Sequence, residues 1–370
     1  MKKIYQKFQL KKMKLIAGLV SKFKLYERFS SDKAPLYPMV LSLGAIAFEV
    51  LRCGVTLGIF DALDQNEGKT VDELSASLKI ERYPLQACLN ALGYMKFVIK
   101  IDDRYYNHPV NTMNFLKKNR EIYHSDTTLE YIHHVVGPAC FYLEESVRSN
   151  KPHGLYHLFG KDCNFYDAIS KDKERMPYFD AFMKNITNMN KDRVTSDPFF
   201  SRHKSILDVG GATGDVALSL ALHHPALEVT VLDFPEVVKL ASKKFQERGL
   251  EQRLHTCTGD PLKGLPGGHD CILFFHFFDI FSPSDIRLFL KNAFRSLPSK
   301  GSVCIFTPIS FSDRSTYSDL FAPYFLCLAE GQGKFYTEKD IVQWIKEEQF
   351  TNVSVKDLPF DDVFITAKKT

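Results

Sequence analysis

From residue 204 onward the chain alternates short apolar runs with segments of helical pattern. The runs read SILDVGG, EVTVLDF, DCILFFHFF and SVCIFTPI. These runs are predominantly apolar, the pattern of strands covered on both faces. Strands of this kind separated by helices predict an α/β fold with a doubly wound parallel sheet. Ligands of such sheets bind outside the carboxyl ends of the strands, where the strand order reverses.

The stretch ILDVGGATGD, residues 206–215, lies at one such end. With a strand over Ser205–Val209, Gly210, Gly211 and Gly214 form the turn that follows, and a turn without Cβ atoms lets a ligand touch backbone. A dinucleotide fingerprint in this register needs glycine at 210, 212 and 215, where the chain has Gly210, Ala212 and Asp215. Asp215 also puts a negative charge at a helix start that would have to hold phosphate. A cationic, phosphate-free nucleoside fits better, and S-adenosylmethionine is one. Asp233 ends the next run, 23 residues after Gly210, and is placed to accept both ribose hydroxyls. TGD, residues 258–260, ends a third strand, where Gly259 precedes Asp260, a carboxylate able to accept from the adenine amino group. Phe234 is placed to cover a face of the adenine. Asp208, Asp233 and Asp260 make these surroundings acidic, as suits a sulfonium.

The first half has a different texture. Residues 39–60 form a long apolar helical pattern. TVDELSASLKI has Thr70 as helix N-cap and Glu73 three residues on, a capping box. PLQACLNALGYMKFV predicts a further amphipathic helix over 84–98, and VIKIDDRYYNHPV a two-stranded wing with Asp102 and Asp103 at its tip. This is the plan of an all-α, winged-helix domain. Its would-be recognition helix offers only Lys96 as a charge, whereas base reading needs outward Arg, Lys, Asn or Gln. The helix is therefore expected to pack against another chain or domain, not nucleic acid. Residues 1–33 carry a net charge of +8 and the remainder −4. The arm is thus a separate basic amphipathic segment, for a partner or an anionic membrane surface, and its longest uncharged run, LIAGLVS, is too short to span. The expected organisation is an arm over 1–35, a winged-helix dimerisation domain over 36–115, a helical connector lining the substrate pocket over 116–200, and a cofactor-binding domain over 201–370. Eight cysteines without a C-x-x-C pair indicate free thiols in a reducing, cytoplasmic compartment, and no metal site is expected.

LDVGGATGD, VTVLDFPEVV, GDPLKGLPGGHD and LKNAFRSLPSKG resemble the caffeate, acetylserotonin and hydroxyindole O-methyltransferase family, as do LGIFDAL and TVDELSASL nearer the start. The similarity covers roughly residues 36–368. It implies a class I S-adenosylmethionine-dependent methyltransferase, a homodimer whose partner subunit helps close the pocket, and an aromatic or polycyclic small molecule as methyl acceptor. It also implies Gly210, Asp233 and Asp260 as cofactor contacts.

The resemblance departs at the chemistry. The family's catalytic His lies nine residues after the acidic residue that opens the fourth strand. Here that residue is Asp270, and nine further on stands Asp279. The family's Lys four residues before its His is Phe275, and its G-x-E-R-T motif reads GKFYT, 333–337, with Phe335 and Tyr336 replacing Glu and Arg. An aspartate of ordinary pKa, about 4, is a weak base for a phenol of pKa about 10. Burial among Phe274, Phe275, Phe277 and Phe278 would raise it. Asp279 is accordingly either the acid/base or a helix cap at the lip of the pocket. His276 is either the base by a small shift in pairing or a core histidine. Either of His133 and His134 could reach the acceptor from the helical insert. Phe159, Phe165, Tyr166, Met183, Phe321 and Tyr324 line the acceptor pocket or simply pack. O-methylation of an acidic hydroxyl and methylation at carbon both survive the loss of the His. So do the non-methylating reactions of some family members and a non-catalytic binding role.

Overall fold

The computed structural model describes residues 41–63, 67–112, 115, 125–161, 163–311, 317–329 and 335–370. The basic arm over 1–35, and Gly333 and Lys334 of the GKFYT stretch, lie outside the described residues. The chain divides into two compact units, Met1–Lys118 and Asn119–Thr370.

The first unit holds helices Gly44–Thr56, Ile59–Ala62, Val71–Leu78 and Arg82–Tyr94 and strands β1 (Lys69–Thr70), β2 (Val98–Ile101) and β3 (Arg104–Asn107). The long helix expected over 39–60 is broken. Gly58 takes a left-handed φ of 72° and is the N-cap of the short helix that restarts at Ile59. The helix expected over 84–98 instead runs Arg82–Tyr94. Lys96 adopts φ 65° while its N–H reaches Gly93 O and that of Phe97 reaches Leu92 O, the hydrogen-bond pair of a Schellman stop. A left-handed lysine in place of glycine leaves no trace in the sequence pattern, hence the misplaced end. The capping box is present, with Thr70 Oγ1 accepting from Glu73 N and Glu73 Oε2 from Thr70 N. β2 and β3 form the expected hairpin, and β1 adds a third strand beside β3. Leu85, Leu89 and Leu92, at helical spacing, are buried with Phe60, Leu74 and Val98.

The second unit opens with helices Ser125–Tyr131, Gly137–Cys140, Leu143–Ser149, His153–Phe159, Phe165–Lys171 and Met176–Thr195. The sheet follows: β4 (Ser205–Val209), β5 (Glu228–Asp233), β6 (Leu254–Thr258), β7 (Cys271–Phe275), β8 (Ser302–Pro308), β9 (Phe350–Leu358) and β10 (Asp362–Lys369). Its order is β6-β5-β4-β7-β8-β10-β9, parallel except for β10, which runs antiparallel between β8 and β9. The order reverses between β4 and β7, so the crevice of a doubly wound sheet opens there. Both faces are covered. Leu207, Val209, Phe274 and Ile305 pack on one side, and Ile206, Val231, Leu273 and Phe306 on the other. Each large apolar side chain so buried contributes about 1.5–3 kcal/mol.

The helical layer has its own core of Tyr131, Val135, Leu155, Phe165, Phe182, Cys327 and Leu328. The last two come from the helix Pro323–Leu328, which returns to this layer after β8. Ser219, on the helix after β4, donates to Asp192 at 2.6 Å and lies 2.6 Å from Thr195, which ties the long helix Met176–Thr195 to the sheet layer. All eight cysteines are free thiols. Among the described residues no helix is long and apolar enough to cross a membrane.

Candidate active site

The carboxyl edge of the parallel strands gathers five carboxylates: Asp208 on β4, Asp233 ending β5, Asp260 after β6, Asp279 after β7 and Asp362 opening β10. The turn after β4 is built for close approach. Gly210 has φ 69°, and a Cβ there would lie 2.6 Å from the Phe277 ring. Gly214 has φ 78°, and a Cβ there would lie 2.4 Å from the buried Phe245 ring. A Cβ at Gly211 would strike Asp208 Oδ2 at 2.5 Å.

Asp208 is fully buried and neither carboxylate oxygen has a hydrogen-bond partner. Burial, and next the charge of Asp233, push it up to about 7. Asp233 is half-buried, and burial raises it, opposed by hydrogen bonds to its Oδ1 from Phe234 N at 2.7 Å and to its Oδ2 from Ala212 N at 2.9 Å. The strand end and the glycine turn are thus locked together. The Phe234 ring is 64 % exposed. Asp260 Oδ1 accepts from Leu262 N at 3.0 Å. Gly259 is exposed, and a Cβ there would lie 2.9 Å from Leu232. Sequence reasoning missed Lys244, whose Nζ reaches Asp215 Oδ2 at 2.9 Å and Thr213 Oγ1 at 3.0 Å, neutralising the acid at the helix start.

Asp279 sits in a short 3-10 turn, Phe278–Ile280. Its Oδ1 is buried without a partner, and burial pushes the carboxyl up to about 6. Its charge is felt by Tyr166 and Tyr324, whose phenols burial drives well above their usual range. Tyr166 also feels Asp233. It stays 36 % exposed. Tyr324 is hydrogen-bonded to Tyr131, a second residue the sequence did not single out.

His276 leaves β7 in a left-handed turn at φ 49°, its N–H donating to Phe306 O at 2.8 Å. Its ring lies edge-on to Phe306 at 4.7 Å and to Phe275 at 5.3 Å, Nε2 has no partner, and burial pushes it down to about 4. Phe321, Tyr324, Met183 and Phe159 are partly buried against the helical-layer core, whereas Phe165 is part of that core. His133 lies on the π-turn Ile132–Val136, its ring 4.7 Å from His134. His134 stacks on Tyr178 at 3.8 Å and meets Glu130 at 3.3 Å. Where the family has Glu and Arg, Phe335 meets the Phe325 ring edge-on at 5.4 Å and Tyr336 is buried, donating its hydroxyl to Phe281 O at 2.6 Å. Among the described residues no group of three or more His, Cys, Asp or Glu is placed to hold a metal ion.

An O-methyltransferase domain family matches residues 141–351, more than half of the chain. The chain belongs to this family. It is similar to the L-tyrosine C(3)-methyltransferase of Streptomyces lavendulae, 26 % identical over 313 residues that cover 83 % of this chain and 85 % of that one. Among solved structures it is similar to the apo S-adenosylmethionine-dependent methyltransferase SibL, at 26 % identity with a TM-score of 0.78, covering 90 % of this chain and 98 % of that one. Human N-acetylserotonin methyltransferase in complex with S-adenosylmethionine shares the fold, at 18 % identity and TM-score 0.77, covering 92 % and 99 %. This methyltransferase is therefore a class I enzyme with S-adenosylmethionine as cofactor and a small molecule as substrate.

Proposed function

We propose that this methyltransferase transfers a methyl group to an aromatic or polycyclic small molecule of secondary metabolism, with Asp279 as the proton acceptor. The observation that carries this reading is Asp279 itself. A half-buried carboxylate with one buried, unpartnered oxygen, whose charge is felt by Tyr166 and Tyr324, suits a donor from the ligand.

S-adenosylmethionine supplies an electrophilic methyl group on a sulfonium. The residues present fit its cationic, phosphate-free chemistry. Asp208, with two orphaned buried oxygens, fits the amino group of its amino-acid end. Gly210, Gly211 and Gly214 let the backbone approach. Asp233, fixed by two backbone donors, keeps lone pairs for the ribose diol. Phe234 offers a bare ring face to the adenine, and Asp260, beside Gly259, accepts from its amino group. Tyr166 and Tyr324, with Phe321 and Met183 beside them, form the aromatic wall that orients the acceptor and excludes water. Phe159 and Phe165 back this wall. Asp279 then removes the proton from a hydroxyl, or from ring carbon after methyl transfer, and most of the rate comes from orientation. His133 has no part in this reading, and His276 is the fallback base.

The direct test incubates the protein with deuterated-methyl S-adenosylmethionine and host extract. A small molecule gaining one labelled methyl is expected, and none would sink the proposal. Asp233→Ala should weaken S-adenosylmethionine binding by about 1–3 kcal/mol, the worth of charge-assisted hydrogen bonds. Unchanged affinity by calorimetry would remove Asp233 from the site.

The N-terminal unit is read as a winged-helix dimerisation module. It leaves Leu41, Leu43, Ile46, Leu57, Tyr83 and Tyr94 exposed, with Tyr83 at 85 %. Large apolar side chains left exposed in this number suit a protein interface. The protein should therefore sediment as a homodimer at micromolar concentration, and a well-behaved monomer would count against the module. Eight free thiols suit the cytoplasm, and the basic arm suits a peripheral contact with an anionic membrane surface.

A further inference from the structure

We infer that a second ligand site lies at the edge of the sheet opposite the cofactor crevice, and that it takes a phosphate group, free or as a monoester. The site is a cavity of about 280 Å³. Arg202 and His203, at the end of the turn Phe200–Arg202, form one wall with Asp270, which precedes β7. Lys300 and Ser302, at the start of β8, and Lys368, near the end of β10, complete it. Because β10 runs antiparallel to β8, its last residues return to the edge where β7 and β8 begin. Lys300 takes a left-handed φ of 66° there, and its N–H donates to Lys369 O at 3.0 Å, which fixes the turn that carries it.

Ser302 lies at the base of the cavity. It pairs with Cys271 of β7 and with Lys368 of β10, and side chains paired across a sheet share a face. Cys271 belongs to the core against which Phe199 packs, and the Phe199 ring lies 4.8 Å from that of His203. The Ser302 and Lys368 side chains therefore leave the sheet on the side of the cavity. Ser302 is fully buried, and its Oγ has no hydrogen-bond partner. A buried hydroxyl left unpaired is a net cost to the fold, and a ligand oxygen in the cavity would remove it.

Three cations, Arg202, Lys300 and Lys368, line the cavity against one acid, Asp270. Asp270 is already engaged: its Oδ2 accepts from Lys204 N at 2.9 Å and its Oδ1 from Ser205 N at 3.2 Å, with His203 Nδ1 3.4 Å away. Among the described residues none of the three cations is in an ion pair. Asp197, which also feels Arg202, is itself held by Lys356 at 2.7 Å. His203 feels both Arg202 and Lys368, as groups that converge on one space. The positive charge in excess suits a dianion. The tetrahedral oxygens of a phosphate can meet a guanidinium fork, ammonium groups and a hydroxyl at once, whereas the two oxygens of a carboxylate lie in one plane. Bound there, a phosphate ties β7, β8 and β10 to the chain entering β4 and competes with neither cofactor nor acceptor.

The test uses the full chain saturated with S-adenosylhomocysteine, so that the cofactor crevice is filled. Inorganic phosphate and, separately, glucose 6-phosphate are titrated by calorimetry in chloride buffer of constant ionic strength. One site is expected for at least one probe. Tighter binding of phosphate assigns the site to the free ion, and tighter binding of the ester to a phosphorylated metabolite. Arg202→Gln and Lys368→Gln should each weaken binding about tenfold or more, with S-adenosylhomocysteine affinity unchanged. Ser302→Ala should weaken binding about threefold or more and leave the unliganded protein at least as stable as wild type, because it removes an unpaired hydroxyl. No binding of either probe, or wild-type affinity in both Arg202→Gln and Lys368→Gln, overturns the inference. Wild-type affinity in Ser302→Ala alone overturns the role given to Ser302.

Discussion

Asp279→Asn should cut turnover by roughly 10²–10⁴, the usual worth of a positioned general base, while S-adenosylmethionine binding stays as in wild type. The substitution keeps the shape and removes the ability to take a proton. Burial pushes Asp279 up to about 6, so its basic form prevails only above that pH. The expected kcat/KM therefore falls about tenfold per unit as pH drops below about 6, and this limb should be missing in Asp279→Asn. Asp362, at about 7, titrates nearby, so the comparison of variants, not the wild-type curve alone, identifies the group. His276→Asn should keep most of the activity, because an imidazole pushed down to about 4 is the weaker base. A near-normal rate for Asp279→Asn would exclude it from the mechanism. A large loss confined to His276→Asn would move the base three residues earlier. A modest loss in Asp279→Asn alone would point to carbon methylation or to an acceptor that arrives ionised.

The second large effect is on stability. Asp208 is fully buried and raised to about 7, against an unfolded value near 3.8. Between those values the folded state holds a proton that the unfolded state has lost. The stabilisation is present below the unfolded value and is lost as pH rises through about 7, a change on the order of 4 kcal/mol across the window. Urea unfolding from pH 4 to 8 should show wild type losing stability relative to Asp208→Asn, which has no charge to bury. The two curves should diverge most above about pH 7. Saturating S-adenosylmethionine should narrow the gap by pairing the carboxylate with its amino group. Parallel curves over the whole range would mean that Asp208 does not titrate in the fold.

Much of this protein was legible before folding was considered. The runs that became β4, β5, β7 and β8 are predominantly apolar, and a strand buried on both faces carries that mark locally. Gly210, Gly214 and Asp233 were legible for the same reason, since a turn that needs φ above zero and a strand that ends in a carboxylate are local events. The nine-residue step from Asp270 to Asp279 spans one strand and one turn, short enough to count along the chain. Boundaries failed where a non-glycine residue took a left-handed turn, as at Lys96, because such turns are stabilised by contacts and not by residue type.

What the tertiary structure alone decided is the electrostatics of the acceptor cleft. Tyr131, Tyr166 and Tyr324 come from three helices far apart in sequence, and only the packing of the helical layer brings their phenols together near Asp279. Asp362 stands in the last strand of the chain, and nothing in PFDDVFI distinguishes it from a surface turn. Its position follows from the insertion of β10, antiparallel, between β8 and β9. Burial does the rest. A carboxylate's pKa depends on how many protein atoms replace water around it, a count that sequence spacing does not contain and that the closed edge of the sheet supplies.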